Sequence, residues 1–90
     1  MVVRIHGQVC ERHPELTEED VLHAWANAFL VQERFGGGLP MGTLLALGDD
    51  PRGRTVEMVG VELEGGSVLV YHAMTPPTRK ALRELRRALR

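Results

Sequence analysis

His72 is the residue best equipped for chemistry in this 90-residue chain. It falls near the end of an alternating apolar segment, Ser67-Val-Leu-Val-Tyr-His-Ala-Met74, just before Pro76-Pro77 and a run of cations. An imidazole gives or takes a proton near neutral pH. Arg79 and Lys80, at the start of the next segment, are placed to hold an anion with help from the unpaired backbone N–H groups of a helix start. Arg54, expected on the neighbouring strand, would join them. Metal-free cleavage of RNA asks for such a set: a base for the 2′-hydroxyl, an acid for the leaving oxygen, and cations for the charge of the transition state. His72 and Arg79 are therefore the candidate catalytic residues. Arg54, Lys80, Arg83 and Arg86 are the candidate phosphate-binding residues. A plainer reading stands beside this one. If His72 alternates with Val68 and Val70 on one sheet face, it is a half-buried, hydrogen-bonded histidine, which is the commoner outcome for such a position. Tyr71, of opposite parity, is expected against the last helix.

The charge distribution gives the cations weight. Residues 1–76 carry five basic side chains against eleven acidic ones, while residues 77–90 carry six against one. The formal net charge of −1 conceals a basic terminus on an acidic body. Such a segment suits a polyanion or an acidic protein surface. Its plainer explanation is dipole stabilisation of a helix C-terminus and a solvated face. Six cations exceed what capping needs, and Arg79, Arg83 and Arg86 or Arg90 can align along one side.

Other chemistries find less support. His6, Cys10 and His13 lack a fourth ligand for zinc, so no metal or other cofactor is expected. Asp49-Asp50 supplies too few oxygens for a hard cation and is a turn by composition. Gly36-Gly37-Gly38 has no following Lys-Ser/Thr pair, which removes a phosphate-binding loop. One cysteine precludes an internal disulfide and points to a reducing compartment. No stretch has the length of a membrane span, and the N-terminus lacks a signal-peptide core, so a cytoplasmic protein without membrane contact is expected. The four aromatic residues, Trp25, Phe29, Phe35 and Tyr71, are too few for a base-stacking platform.

The elements that must position His72 are legible from periodicity. Ninety residues hold one domain with one core. Val2 to Ile5 reads as a short strand, and His6 to Glu11 as a helical turn or loop. Thr17 is a natural N-cap, with Glu18, Glu19 and Asp20 on the positive end of the helix dipole. Leu16 and Val21 have the spacing of a hydrophobic staple. The helix is expected to run through Leu30, with Val21, Leu22, Trp25, Ala28 and Phe29 as its buried stripe. A glycine-rich loop is expected over 34–41. Residues 42–48, 54–63 and 67–74 read as strands, with turns at 49–53 and 64–66. Thr78 is expected to cap a helix over 79–90 whose apolar stripe is Ala81, Leu82, Leu85, Ala88 and Leu89. The order β-α-β-β-β-α predicts an α+β domain with a mostly antiparallel sheet and helices packed on one face.

Two segments also carry a resemblance. Ile5-His6-Gly7-Gln8-Val9-Cys10-Glu11-Arg12-His13-Pro14-Glu15-Leu16-Thr17-Glu18-Glu19-Asp20-Val21 resembles the His, Arg and hydroxyl-capped acidic helix start of the RelE-like small toxins, nearest the BrnT type. Val68 to Lys80 is similar to that family's final strand and Thr-Arg helix start. Met74 stands where active members usually carry a cation. The resemblance covers about a third of the chain. It implies a metal-independent endoribonuclease of a toxin–antitoxin pair, acting on RNA and held by an acidic antitoxin. The alternative it leaves is a relic of the same fold. That relic would be a non-catalytic module whose basic helix binds an acidic partner or a second copy as a homodimer.

Overall fold

The structure, a computed structural model, describes residues 2–88. A five-stranded sheet carries β1 (Val3–Ile5), β2 (Ala28–Arg34), β3 (Thr43–Asp49), β4 (Thr55–Glu62) and β5 (Val68–Met74). Three helices accompany it: α1 (Gln8–Arg12), α2 (Glu18–Ala26) and α3 (Arg79–Ala88). The strand order is β1-β5-β4-β3-β2. Only β1 runs parallel to its neighbour; the other three pairings are antiparallel. This is the α+β class and the mostly antiparallel sheet that the alternation of apolar residues implies.

The start of α2 is written in its sequence. The Thr17 hydroxyl accepts from Asp20 N–H at 3.1 Å, and Asp20 Oδ2 accepts from Thr17 N–H at 3.0 Å. These two bonds satisfy donors that a helix start otherwise leaves open. Leu16 and Val21 are both buried in the same cluster, as a hydrophobic staple requires.

The end of α2 corrects the expectation of a helix to Leu30. The helix stops at Ala26, and Asn27 caps it by donating from Nδ2 to the His23 carbonyl at 2.8 Å. The chain then becomes β2, which pairs with β3 from Ala28↔Gly48 to Arg34↔Thr43. Phe29, now on a strand, is 55% exposed rather than buried, and Leu22, within α2, is exposed as well. A short apolar run fits either period, and here ladder hydrogen bonds to β3 outweigh helix propensity. Gly48 permits the turn: a Cβ there would run into the Ala24 carbonyl at the end of α2. The tri-glycine closes the β2–β3 connection with φ of 80°, 60° and 78°, values open to glycine without strain.

The helices do not share one face, which corrects that part of the expectation. Val9, Leu16, Val21 and Ala24 of the α1–α2 side pack with Ala46, Val56, Met58, Val68, Val70 and Ala73. Ala81 and Leu85 of α3 pack with Leu45, Leu47 and Val59 on the other side, together with Leu30. Residues 45–47 show the alternation directly, with Ala46 toward one layer and its neighbours toward the other. Leu82, expected in the α3 stripe, is exposed, and Leu89 and Arg90 lie outside the described residues. Trp25 packs against the first cluster as expected.

Candidate functional site

The strand that carries His72 is not regular. Val59 pairs with His72, but Gly60 pairs with Val70, so Tyr71 is an extra residue in β5. This bulge reverses the facing of every later residue in the strand. Val68 and Val70 face the α1–α2 core, whereas His72 sits across from Val59 in the α3 layer. The reading of His72 as a face-mate of Val68 and Val70 is thereby corrected. The same bulge brings Tyr71 and His72 to one cleft instead of opposite faces. It lies where β1 runs out, since the β1–β5 ladder ends at Ile5↔Val70.

Glu57 of β4 holds the imidazole. Its Oε2 is 2.8 Å from His72 Nε2, and its Oε1 accepts from both the backbone N–H and the hydroxyl of Thr78 at 2.8 Å. Thr78 in turn accepts from Ala81 N–H at 3.1 Å and so caps α3, as its type and place suggested. One carboxylate therefore ties β4, β5 and α3 together. The Glu57 side chain is only 7% exposed, while that of His72 is 34% exposed. Burial alone would raise the Glu57 carboxyl. The hydrogen bonds from His72 and Thr78 outweigh it and bring the value down to about 2. An ionised carboxylate only accepts, so His72 Nε2 carries a proton and Nδ1 is the nitrogen left for exchange. Nδ1 has no hydrogen bond among the described residues.

The cleft at His72 has a volume of about 420 Å³ and is lined by Arg12, Arg34, Glu57, Val59, Tyr71, His72, Thr78 and Lys80. Arg34 is engaged with Glu84 through Nε at 2.8 Å and a second nitrogen at 3.2 Å. Arg12 and Lys80 are exposed and form no ion pair among the described residues. The cleft thus presents two unneutralised cations beside an oriented imidazole. That arrangement can bind an anion and exchange a proton with it.

The sequence-derived candidates divide. Lys80 joins His72 in the cleft. Arg79 does not; with Leu82, Arg83 and Arg86 it lines a separate strip along α3. Arg54 is not brought to His72 either. Its Nε is 2.6 Å from Asp50 Oδ2, and its terminal nitrogen donates to the Glu15 carbonyl at 3.1 Å and reaches Asp20 at 3.4 Å. Burial would raise Asp50, but hydrogen bonds from Arg54 and from the Arg52 N–H outweigh it and lower the value. Asp20 is lowered first by the Thr17 N–H. Arg54 is thus a pin between the 50–54 turn and the start of α2. A second cleft, of about 600 Å³, has this committed Arg54 as its only cation among the described residues. The anion seat expected at the start of α3 is also filled, by the protein's own Glu57.

Three participants escaped sequence reasoning: Glu57, Arg12 and Arg34. Glu57 had a signal, a lone carboxylate between Val56 and Met58-Val59 in a central strand, where an unpaired charge is costly. Arg12 and Arg34 had none, because only the fold brings α1 and β2 toward β5. Cys10 is half-buried, and its thiol is pushed up by burial and then by Glu18 and Asp20, away from nucleophilic character. No group of three or more His, Cys, Asp or Glu side chains suited to a metal occurs among the described residues. No described helix is long and apolar enough to cross a membrane.

Fold and site together define a class: a small α+β domain with a carboxylate-oriented histidine at a cation-lined cleft. The chain matches no family model, and neither curated proteins nor solved structures gave a match.

Proposed function

We propose that this chain is a toxin-like, metal-independent endoribonuclease of the RelE/BrnT type, cytoplasmic and paired with an acidic antitoxin. The observation that carries the reading is the Glu57–His72 pair at the mouth of a cleft that also holds Arg12 and Lys80. His72 would transfer a proton through Nδ1, and the two free cations would hold the scissile phosphate. Arg79, Arg83 and Arg86, on the adjoining strip of α3, would track neighbouring phosphates of the RNA rather than act at the reacting one. The test is incubation of RNA with the purified chain in a chelator, comparing wild type with His72→Gln. Chelator-resistant cleavage that falls at least about 100-fold in the variant supports the reading. Intact RNA with the wild-type chain sinks it.

A second reading has its own observation. Arg79, Arg83 and Arg86 share one exposed strip and form no ion pair with a carboxylate among the described residues. A non-catalytic module would present this strip to an acidic protein or to the acidic body of a second copy. Complex formation unaffected by His72→Gln, together with uncut RNA, would favour it.

A further inference from the structure

His13 is a titratable side chain that meets His72 and has so far been given no role. The two rings lie edge to face, with centroids 6.2 Å apart and planes at 88°. His13 is held in place by its backbone: its N–H donates to the Val9 carbonyl at 3.1 Å, and its carbonyl accepts from Leu16 N–H at 2.9 Å. Its Nδ1 is 3.3 Å from Glu15 Oε1. Each imidazole therefore turns one nitrogen to a carboxylate, His13 through Nδ1 and His72 through Nε2. His13 Nε2 and His72 Nδ1 are left without a hydrogen bond among the described residues. Arg12, the residue before His13, lines the cleft with His72.

We infer that His13 and His72 form an acid–base pair acting on a single phosphodiester. This rests on the ribonuclease reading and adds to it a second proton-transfer group. One imidazole removes the proton from O2′. The O2′–P bond forms and the P–O5′ bond breaks. The other, as imidazolium, gives its proton to O5′. The products are a 2′,3′-cyclic phosphate and a 5′-hydroxyl, and neither metal, oxidant nor second substrate enters the balance. Two proton-transfer groups suit such a step, because a proton is taken on one side of phosphorus and given on the other.

The experiment compares wild type, His13→Gln and His72→Gln on three oligonucleotides. One is plain RNA, one has deoxyribose at the cleaved position, and one has sulfur in place of the leaving O5′. Sulfur leaves without a proton, so loss of the acid is tolerated on that substrate. Both variants should lose about 100-fold or more in kcat on plain RNA. One of them alone should recover most of that loss on the sulfur substrate, which also shows that it is folded. The deoxy substrate should bind and stay uncut. Cleavage of plain RNA by His13→Gln at the wild-type rate would remove His13 while leaving the ribonuclease reading intact. So would loss in both variants with recovery in neither. Failure of the wild-type chain on plain RNA would remove the reading and the pair together.

Discussion

Glu57 receives the His72 imidazole at 2.8 Å from the neighbouring strand, with one oxygen turned to β5 and the other to the start of α3. The contact is diagonal in the sheet, since His72 faces Val59 and Glu57 faces Met74. It orients the imidazole and anchors the last helix with the same nearly buried group. The orientation of the imidazole and the stability of the fold are coupled through it.

This coupling predicts an acid-sensitive fold. The folded-state value of Glu57 is about 2, below its ordinary value of 4.5, so the unfolded chain takes up a proton that the folded chain refuses. The stabilisation is complete above about pH 4.5 and drains as pH falls toward about 2. Its upper bound is on the order of 3 kcal/mol at about 1.4 kcal/mol per unit, shared with His72 and Thr78. Urea unfolding at pH 6 and pH 3 should show the loss in wild type and a smaller one in Glu57→Gln. Equal losses would show that other carboxylates carry the acid dependence.

Arg54→Ala predicts destabilisation with no direct effect on the cleft. The substitution leaves the Asp50 carboxylate, which is fully buried, without its guanidinium and removes a contact to Asp20. Asp50 would keep its bonds from the N–H groups of Arg52 and residue 54, so the cost should sit near the low end for orphaning a buried charge, about 3 kcal/mol. The measurement is the urea midpoint. Under the ribonuclease proposal, binding of RNA by the folded fraction should be unchanged, which separates a structural pin from a phosphate ligand.

How much of this was legible in the sequence depends on what each residue had to declare. Thr17 and Thr78 announced their helices, because a hydroxyl followed by apolar periodicity has few other uses. The strands from Thr43 onward declared themselves through alternation and turn residues. Phe29 to Arg34 did not, since the run fits both helix and strand and only Asn27 hints at the break. The bulge at Tyr71 had no signal: an extra residue in a strand is set by its partner, and parity counted through it fails from Tyr71 onward. That single residue decides which layer His72 enters. The cleft was therefore only half legible: His72 and Lys80 stood out by type, while Glu57, Arg12 and Arg34 reach it through strand order and helix placement.

Gly48→Ala tests the corrected end of α2. The added methyl meets the Ala24 carbonyl and the Ala28 Cα, both backbone, so no side-chain rotation relieves it. Overpacking of this kind typically costs about 1–3 kcal/mol. A thermal midpoint lowered by several degrees is expected. An unchanged midpoint would mean that α2 does not end against β3 as described.

Under the ribonuclease proposal, the last prediction separates the cleft cation from the strip cations. Lys80 lines the His72 cleft, whereas Arg79 lies with Arg83 and Arg86 along the outer strip of α3. A cation at the reacting phosphate meets charge that grows in the transition state, so Lys80→Gln should lower kcat more than it raises KM. A cation on a neighbouring phosphate binds ground and transition states alike, so Arg79→Gln should raise KM with kcat unchanged. Each substitution should also reduce the slope of log binding constant against log salt by about 1, because each removes one phosphate contact. Steady-state cleavage at several salt concentrations measures both effects. If Lys80→Gln changes only KM, or Arg79→Gln lowers kcat, the reacting phosphate sits on the α3 strip and not beside His72.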